Sequence, residues 1–142
     1  MIPISKRIRF IEKWYELDSA FTAAQNICKE KVKKVLDLAN VGFRHKAPEF
    51  MRMCYKNNLN FSIVSGGCSD IIASMMNQVI DIKNYENFMI YGNEIVFEDN
   101  KIKKIEMKIN SVGKKMIINN EKVQNRKHII LLGDILPDAN IV

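Results

Sequence analysis

The sequence predicts an α/β fold that follows a helical segment, and three observations predict it. Hydrophobic residues at helical spacing dominate the first 58 positions. Two continuous apolar runs, NFSIV at 60–64 and HIILL at 128–132, each lead into a glycine-bearing turn. Between them lie a helical stretch and a stretch of alternating residues, and such an alternation of strand and helix builds an α/β sheet.

The elements follow in order. Residues 6–17 are expected as a helix with Ile8, Ile11 and Tyr15 on one face. A second helix is expected over 20–39, turning Ala24, Ile27, Cys28, Val32, Val35 and Ala39 inward and its lysines outward, with Gly42 as the stop. A third, over 46–57, carries Pro48 near its start, where a missing N–H does no harm, and an apolar face of Ala47, Phe50, Met51 and Cys54. NFSIVSGG (60–67) is a strand, and 69–79 is a helix that Ser69 or Asp70 can cap. Alternating Ile95/Phe97 and Ile105/Met107/Ile109 around Glu98-Asp99-Asn100-Lys101 predict a β-hairpin. A helix over 113–125 and a last strand, HIILL, complete the expectation. Continuous apolar runs suit strands buried on both faces.

Composition narrows the function. With 142 residues, 47% hydrophobic and 27% charged, the chain fits one globular domain, or one and a fragment. No apolar run reaches the length of a membrane span, and the amino-terminal residues have no signal-peptide core, so a cytoplasmic chain is expected. Three cysteines without metal-ligand spacing suit a reducing compartment. The net charge is +6, but acidic residues interleave with the lysines and no aromatic platform accompanies them. That pattern reads as a solvated face, not a nucleic-acid site. It would still favour the approach of an anionic small molecule.

In open α/β sheets ligands sit beyond the carboxyl ends of the strands, where Ser65-Gly66-Gly67 and Gly133-Asp134 are both expected. The glycines allow close approach of a ligand, and the Ser65 hydroxyl with free N–H groups at the next helix suits a phosphate. The same residues also suit a plain strand-to-helix turn. Asp134 and Asp138 are the hard oxygen donors Mg²⁺ takes; alternatively Asp134 caps a turn that Pro137 stiffens.

Taken together, these segments resemble the haloacid dehalogenase-like phosphohydrolases, and within them the cytosolic 5'-nucleotidase III, or pyrimidine 5'-nucleotidase, family. FSIVSGGCSDII (61–72) resembles that family's strand, serine-glycine turn and helix start. IILLGDILPD (129–138) resembles its Ile-Ile-Leu-Leu-Gly-Asp-Ser-x-x-Asp segment, and FIEKWYE (10–16) its Glu-Trp-Trp/Tyr segment. The resemblance implies a partial three-layer α/β/α Rossmannoid core at 43–142 with a helical cap segment at 1–42. It implies Mg²⁺-dependent hydrolysis of nucleoside 5'-monophosphates, pyrimidine favoured, through an aspartyl-phosphate. It places Ser65 and Gly66 on the phosphate, Asp134 on the metal, and Asp138 in support of the metal shell.

This sequence also departs from that pattern. The family's nucleophile and acid/base aspartates stand two apart, whereas no two of Asp18, Asp37, Asp70, Asp81, Asp99, Asp134 and Asp138 do. No catalytic residue is therefore assigned, and the chain is expected to lack the nucleophile strand and the carboxyl-terminal end of the family pattern. In MKINSVGKK (107–115) Ser111 stands where the family has a phosphate-binding lysine, leaving Lys114 or Lys115 as substitutes. Ser5 in IPIS replaces a base-contacting glutamate. The expectation is a 5'-nucleotidase-like chain inactive by itself; the alternative is a non-catalytic nucleotide-binding or protein-interaction form of the same fold.

Overall fold

The computed structural model describes residues 4–39, 42–109 and 125–133. Helix α1 runs Ile4–Ala24, α2 Lys29–Leu38 and α3 Ala47–Lys56; strand β1 is Phe61–Cys68, α4 Ser69–Met76, β2 Phe88–Glu98 and β3 Lys101–Glu106. The result is a mixed α/β chain whose described residues carry one three-stranded sheet, in the order β1-β2-β3.

The first two helices depart from the expected boundaries. A break near residue 18 is expected, but α1 continues for 21 residues. Ser19 does not turn back to interrupt its own backbone. Its hydroxyl receives the Ile105 N–H at 2.8 Å and donates to the Ile105 carbonyl at 3.3 Å. The helix stops where Asn26 takes a left-handed φ of 52°, a conformation asparagine tolerates better than most residues. Ile27 and Cys28 therefore lie in a loop, where Cys28 bridges to Lys101 of the hairpin. Val35, expected inward, is 57% exposed on α2.

Helix α3 keeps its expected bounds closely, with Pro48 in its first turn. Its helical course stops before Asn58, again left-handed. Its buried residues are Met51 and Cys54. From this helix an aromatic chain runs into the sheet: Phe50 meets Phe61 edge-on, Phe61 stacks on Phe88, Phe88 stacks on Tyr85, and Tyr85 meets Tyr55 edge-on. Such contacts add to the area the rings bury. The Tyr85 hydroxyl donates to the Leu59 carbonyl, tying the entry of β1 to the turn before β2.

Parallel β1 and β2, joined through α4, form a βαβ unit. The expected hairpin is present: Glu98 pairs with Lys101, and Asp99 and Asn100 both have positive φ, 46° and 64°. Two left-handed residues are what a two-residue turn of this twist requires. Helix α4 ends at Met76, not 79, and its cap is Cys68 without a side-chain bond. Ser69 is unavailable as the cap because its hydroxyl donates to the Asn93 carbonyl at 3.1 Å.

The last expected strand is not formed. Residues 128–132 have no regular structure and pair with none of the three strands. Ile130 is 88% exposed. An apolar run becomes a buried strand only where a neighbouring strand and a covering layer meet it, and the described sheet offers it neither. Arg126, just before it, donates to Asn60 at 3.1 Å, at the entry to β1. The expected helix over 113–125 lies outside the described residues up to 124, and residue 125 stands in a turn.

Candidate functional site

A cavity of about 780 Å³ opens between α1 and the sheet, at the carboxyl end of β1. Trp14, Tyr15 and Asp18 of α1 form one wall; Gly66, Gly67 and Cys68 of β1 and Asn93 of β2 face them. The volume falls within the roughly 300–1,000 Å³ typical of small-molecule sites. Helix α1 reaches the sheet through β3, where Ser19 takes both outward backbone groups of Ile105. The anchor lies one helical turn beyond Tyr15.

The register of β1 on β2 shifts between Val64 and Cys68, so Ser65-Gly66-Gly67 leaves the regular ladder. There the Gly67 N–H donates to the Ser65 hydroxyl at 3.0 Å. This short side-chain turn fixes Ser65 as an acceptor on its inner side and leaves its proton to donate elsewhere. Neither glycine has positive φ; what matters is space. A Cβ on Gly66 would stand 2.8 Å from the Tyr15 hydroxyl, so glycine lets that side chain reach the turn without shifting.

The two rings of the α1 wall, Trp14 and Tyr15, lie edge-to-face with centroids 5.0 Å apart. Trp14 is 60% exposed and presents an open face. Charge at the cavity is mixed. Lys103 and Lys104 stand against Glu16, Asp18 and Glu106, and Lys103 is paired with Glu98 at 2.5 Å. Carboxylates thus outnumber ammonium groups, and an anion here depends on backbone dipoles and hydroxyls more than on net charge. Burial raises the Cys68 thiol above its ordinary range, with the charges of Asp70 and Asp18 adding to the effect. Cys68 is accordingly a neutral wall of the cavity, not a thiolate nucleophile.

Of the expected site residues, Gly66 lines the cavity and Ser65 adjoins it, half-buried. Asp134 and Asp138 lie outside the described residues, as do Lys114 and Lys115. Among the described residues no group of three or more His, Cys, Asp or Glu is arranged to hold a metal ion. No described helix is long and apolar enough to cross a membrane. Sequence reasoning did not single out Asn93, Cys68 or Asp18. An asparagine inside an apolar strand, in IYGNEIVF, is the one signal that could have found Asn93.

No curated protein sequence matches the chain. A crystal structure of cytosolic 5'-nucleotidase IIIB bound to cytidine is similar in fold, with a TM-score of 0.80 at 19% identity over 99% of this chain. The match covers 49% of that structure's chain, so this sequence spans about half its length. The family profile described as pyrimidine 5'-nucleotidase (UMPH-1) matches residues 1–142. With that match over its full length, the chain belongs to the pyrimidine 5'-nucleotidase family.

Proposed function

We propose that the chain binds a pyrimidine nucleoside 5'-monophosphate in the cavity between α1 and the sheet, as a cytoplasmic protein of nucleotide metabolism. Residues 1–42 serve as the cap segment and 43–142 as the phosphohydrolase core. The observation that carries this reading is the pairing of opposite walls: an aromatic pair, Trp14 and Tyr15, faces a serine-glycine turn that it touches at Gly66. A base stacked on an aromatic face contributes about 1–3 kcal/mol. The phosphate lies toward the turn, where the Ser65 hydroxyl donates to one of its oxygens. The cytidine in the similar nucleotidase structure supports the choice of base.

Mg²⁺ is the cofactor assigned to this reading, with Asp134 and Asp138 as its carboxylates. Hard acceptor oxygens are the donor type this cation takes. When bound it supplies neutralisation of phosphoryl charge, which suits a cavity whose carboxylates outnumber its ammonium groups. Hydrolysis is the family's reaction, yet no two aspartates in these 142 residues stand two apart. That absence favours binding without turnover by this chain alone.

Calorimetric titration tests both parts. Cytidine 5'-monophosphate is expected to bind more tightly than adenosine 5'-monophosphate, with Trp14→Ala weakening both roughly tenfold or more. No Mg²⁺-dependent phosphate release is expected. Equal affinity for any anion regardless of base, unaffected by Trp14→Ala, would refute the site. Robust phosphate release lost in Asp134→Ala would refute the non-catalytic part.

A further inference from the structure

Asn93 is 1% exposed, and its side chain takes part in three hydrogen bonds. Its Nδ2 donates to the Gly66 carbonyl at 2.7 Å. Its Oδ1 accepts the N–H groups of Lys108 at 2.8 Å and Ile109 at 2.9 Å. One side chain in β2 thus holds the irregular end of β1 and the segment leaving β3. Burying an amide this completely is costly unless it is bonded throughout, and among the described residues no buried side-chain polar atom lacks a partner.

The bond to Gly66 has a directional consequence. A trans peptide is planar, and its C=O and N–H point to opposite sides; there are no cis bonds among the described residues. When Asn93 draws the Gly66 carbonyl inward, the same rigid plane sends the Gly67 N–H outward. That N–H is the group that donates to the Ser65 hydroxyl at 3.0 Å. The relay is continuous: Asn93 Nδ2–H to Gly66 C=O, across one peptide plane, then Gly67 N–H to Ser65 Oγ. Each step orients the next. Because β1 has no regular ladder partner between Val64 and Cys68, the ladder does not set this plane.

We propose that Asn93 is the positioning residue for the Ser65 hydroxyl, acting through the Gly66–Gly67 peptide. Asn93 holds that hydroxyl as acceptor toward Gly67, so its proton is aimed at the phosphate oxygen. The role in phosphate recognition rests on the nucleotide reading above; the relay itself does not.

Asn93→Asp separates the two sides of the network. It keeps an oxygen for Lys108 and Ile109 and removes the donor to Gly66. Amide exchange at Gly67 is expected to accelerate roughly tenfold, matching Ser65→Ala, while Lys108 and Ile109 stay protected. Affinity for cytidine 5'-monophosphate should fall about tenfold, the low end for a hydrogen bond to a charged group. Affinity for cytidine should hold, and Asn93→Asp/Ser65→Ala should be no weaker than either single change. Unchanged exchange at Gly67, or equal loss for nucleoside and nucleotide, overturns the proposal. Should the variant not fold, the unmutated chain decides: a scalar coupling across the hydrogen bond from Asn93 Nδ2 to the Gly66 carbonyl carbon is expected, and its absence overturns the relay. If the unmutated chain binds cytidine 5'-monophosphate no better than cytidine, the phosphate reading fails, and Gly67 exchange still decides the relay.

Discussion

Gly66 and Gly92 sit at the same crowded junction but differ in what surrounds them. A Cβ on Gly66 meets only the far end of a side chain, the Tyr15 hydroxyl at 2.8 Å, whereas one on Gly92 meets backbone: the Gly67 carbonyl at 2.9 Å and the Ser69 nitrogen at 3.0 Å. Side-chain ends move and backbone does not, so Gly92→Ala should destabilise more than Gly66→Ala. Overpacking of this kind costs roughly 1–3 kcal/mol, and urea denaturation of the two variants ranks them. Tyr15→Phe removes the clashing atom, and adding it to Gly66→Ala should recover most of the loss. Cys68 gives a second residue-scale expectation. Burial and two carboxylates favour its neutral thiol, so the folded state keeps the thiol proton above the pH at which an ordinary thiol gives it up. Alkylation of Cys68 should therefore lag an unfolded control at pH 8, rise only at higher pH, and slow further when nucleotide fills the cavity. Peptide mass analysis after timed alkylation reads this directly. A rate equal to the unfolded control would mean the thiol is neither buried nor beside those charges.

At the scale of elements, what was legible in the sequence was whatever local chemistry decides. Asp99-Asn100 between alternating strands gave the hairpin because two left-handed residues are a local requirement. Pro48 marked the start of α3 for a similar reason. The α1–α2 boundary was misplaced because Asp18-Ser19 looks like a break until the partner of Ser19 is known, and that partner, Ile105, is 86 residues away. HIILL was misplaced for the complementary reason: apolarity identifies a strand only when something covers it. At the candidate site, the Ser65-Gly66-Gly67 turn was legible from its place after an apolar run, but Asn93 was not, since its bonds reach segments far apart in the sequence that converge on it. Ser19 itself is a test of this scale. It blunts the outer edge of β3 by taking both polar groups of Ile105. Ser19→Ala leaves those groups without their partner and should cost about 1–3 kcal/mol. The loss should appear as faster amide exchange in α1 and β3 together, with β1 unaffected. Uniform loss across the sheet would mean that α1 is not docked through this contact.

For the whole molecule, the proposed Mg²⁺ turns on how many oxygen donors meet it. The family resemblance assigns Asp134 and Asp138, and none of the other five aspartates of this chain forms a pair two apart. Mg²⁺ gives up its water reluctantly and gains little from two carboxylates when no phosphoryl oxygen completes its shell. Binding by the free chain is therefore expected in the millimolar range or weaker, roughly −4 kcal/mol at best. A bound nucleotide adds phosphate oxygens, so cytidine 5'-monophosphate should tighten Mg²⁺ binding, and by linkage Mg²⁺ should tighten the nucleotide by the same factor. Cytidine, which has no phosphate, should show no such coupling. Titrating the cation with and without each ligand measures both directions of the cycle, and Asp134→Ala should abolish the coupling while leaving cytidine binding unchanged. Micromolar Mg²⁺ affinity in the absence of nucleotide would mean that this chain supplies further donors of its own. Equal coupling to cytidine and to its monophosphate would mean that the cation does not meet the phosphate at all.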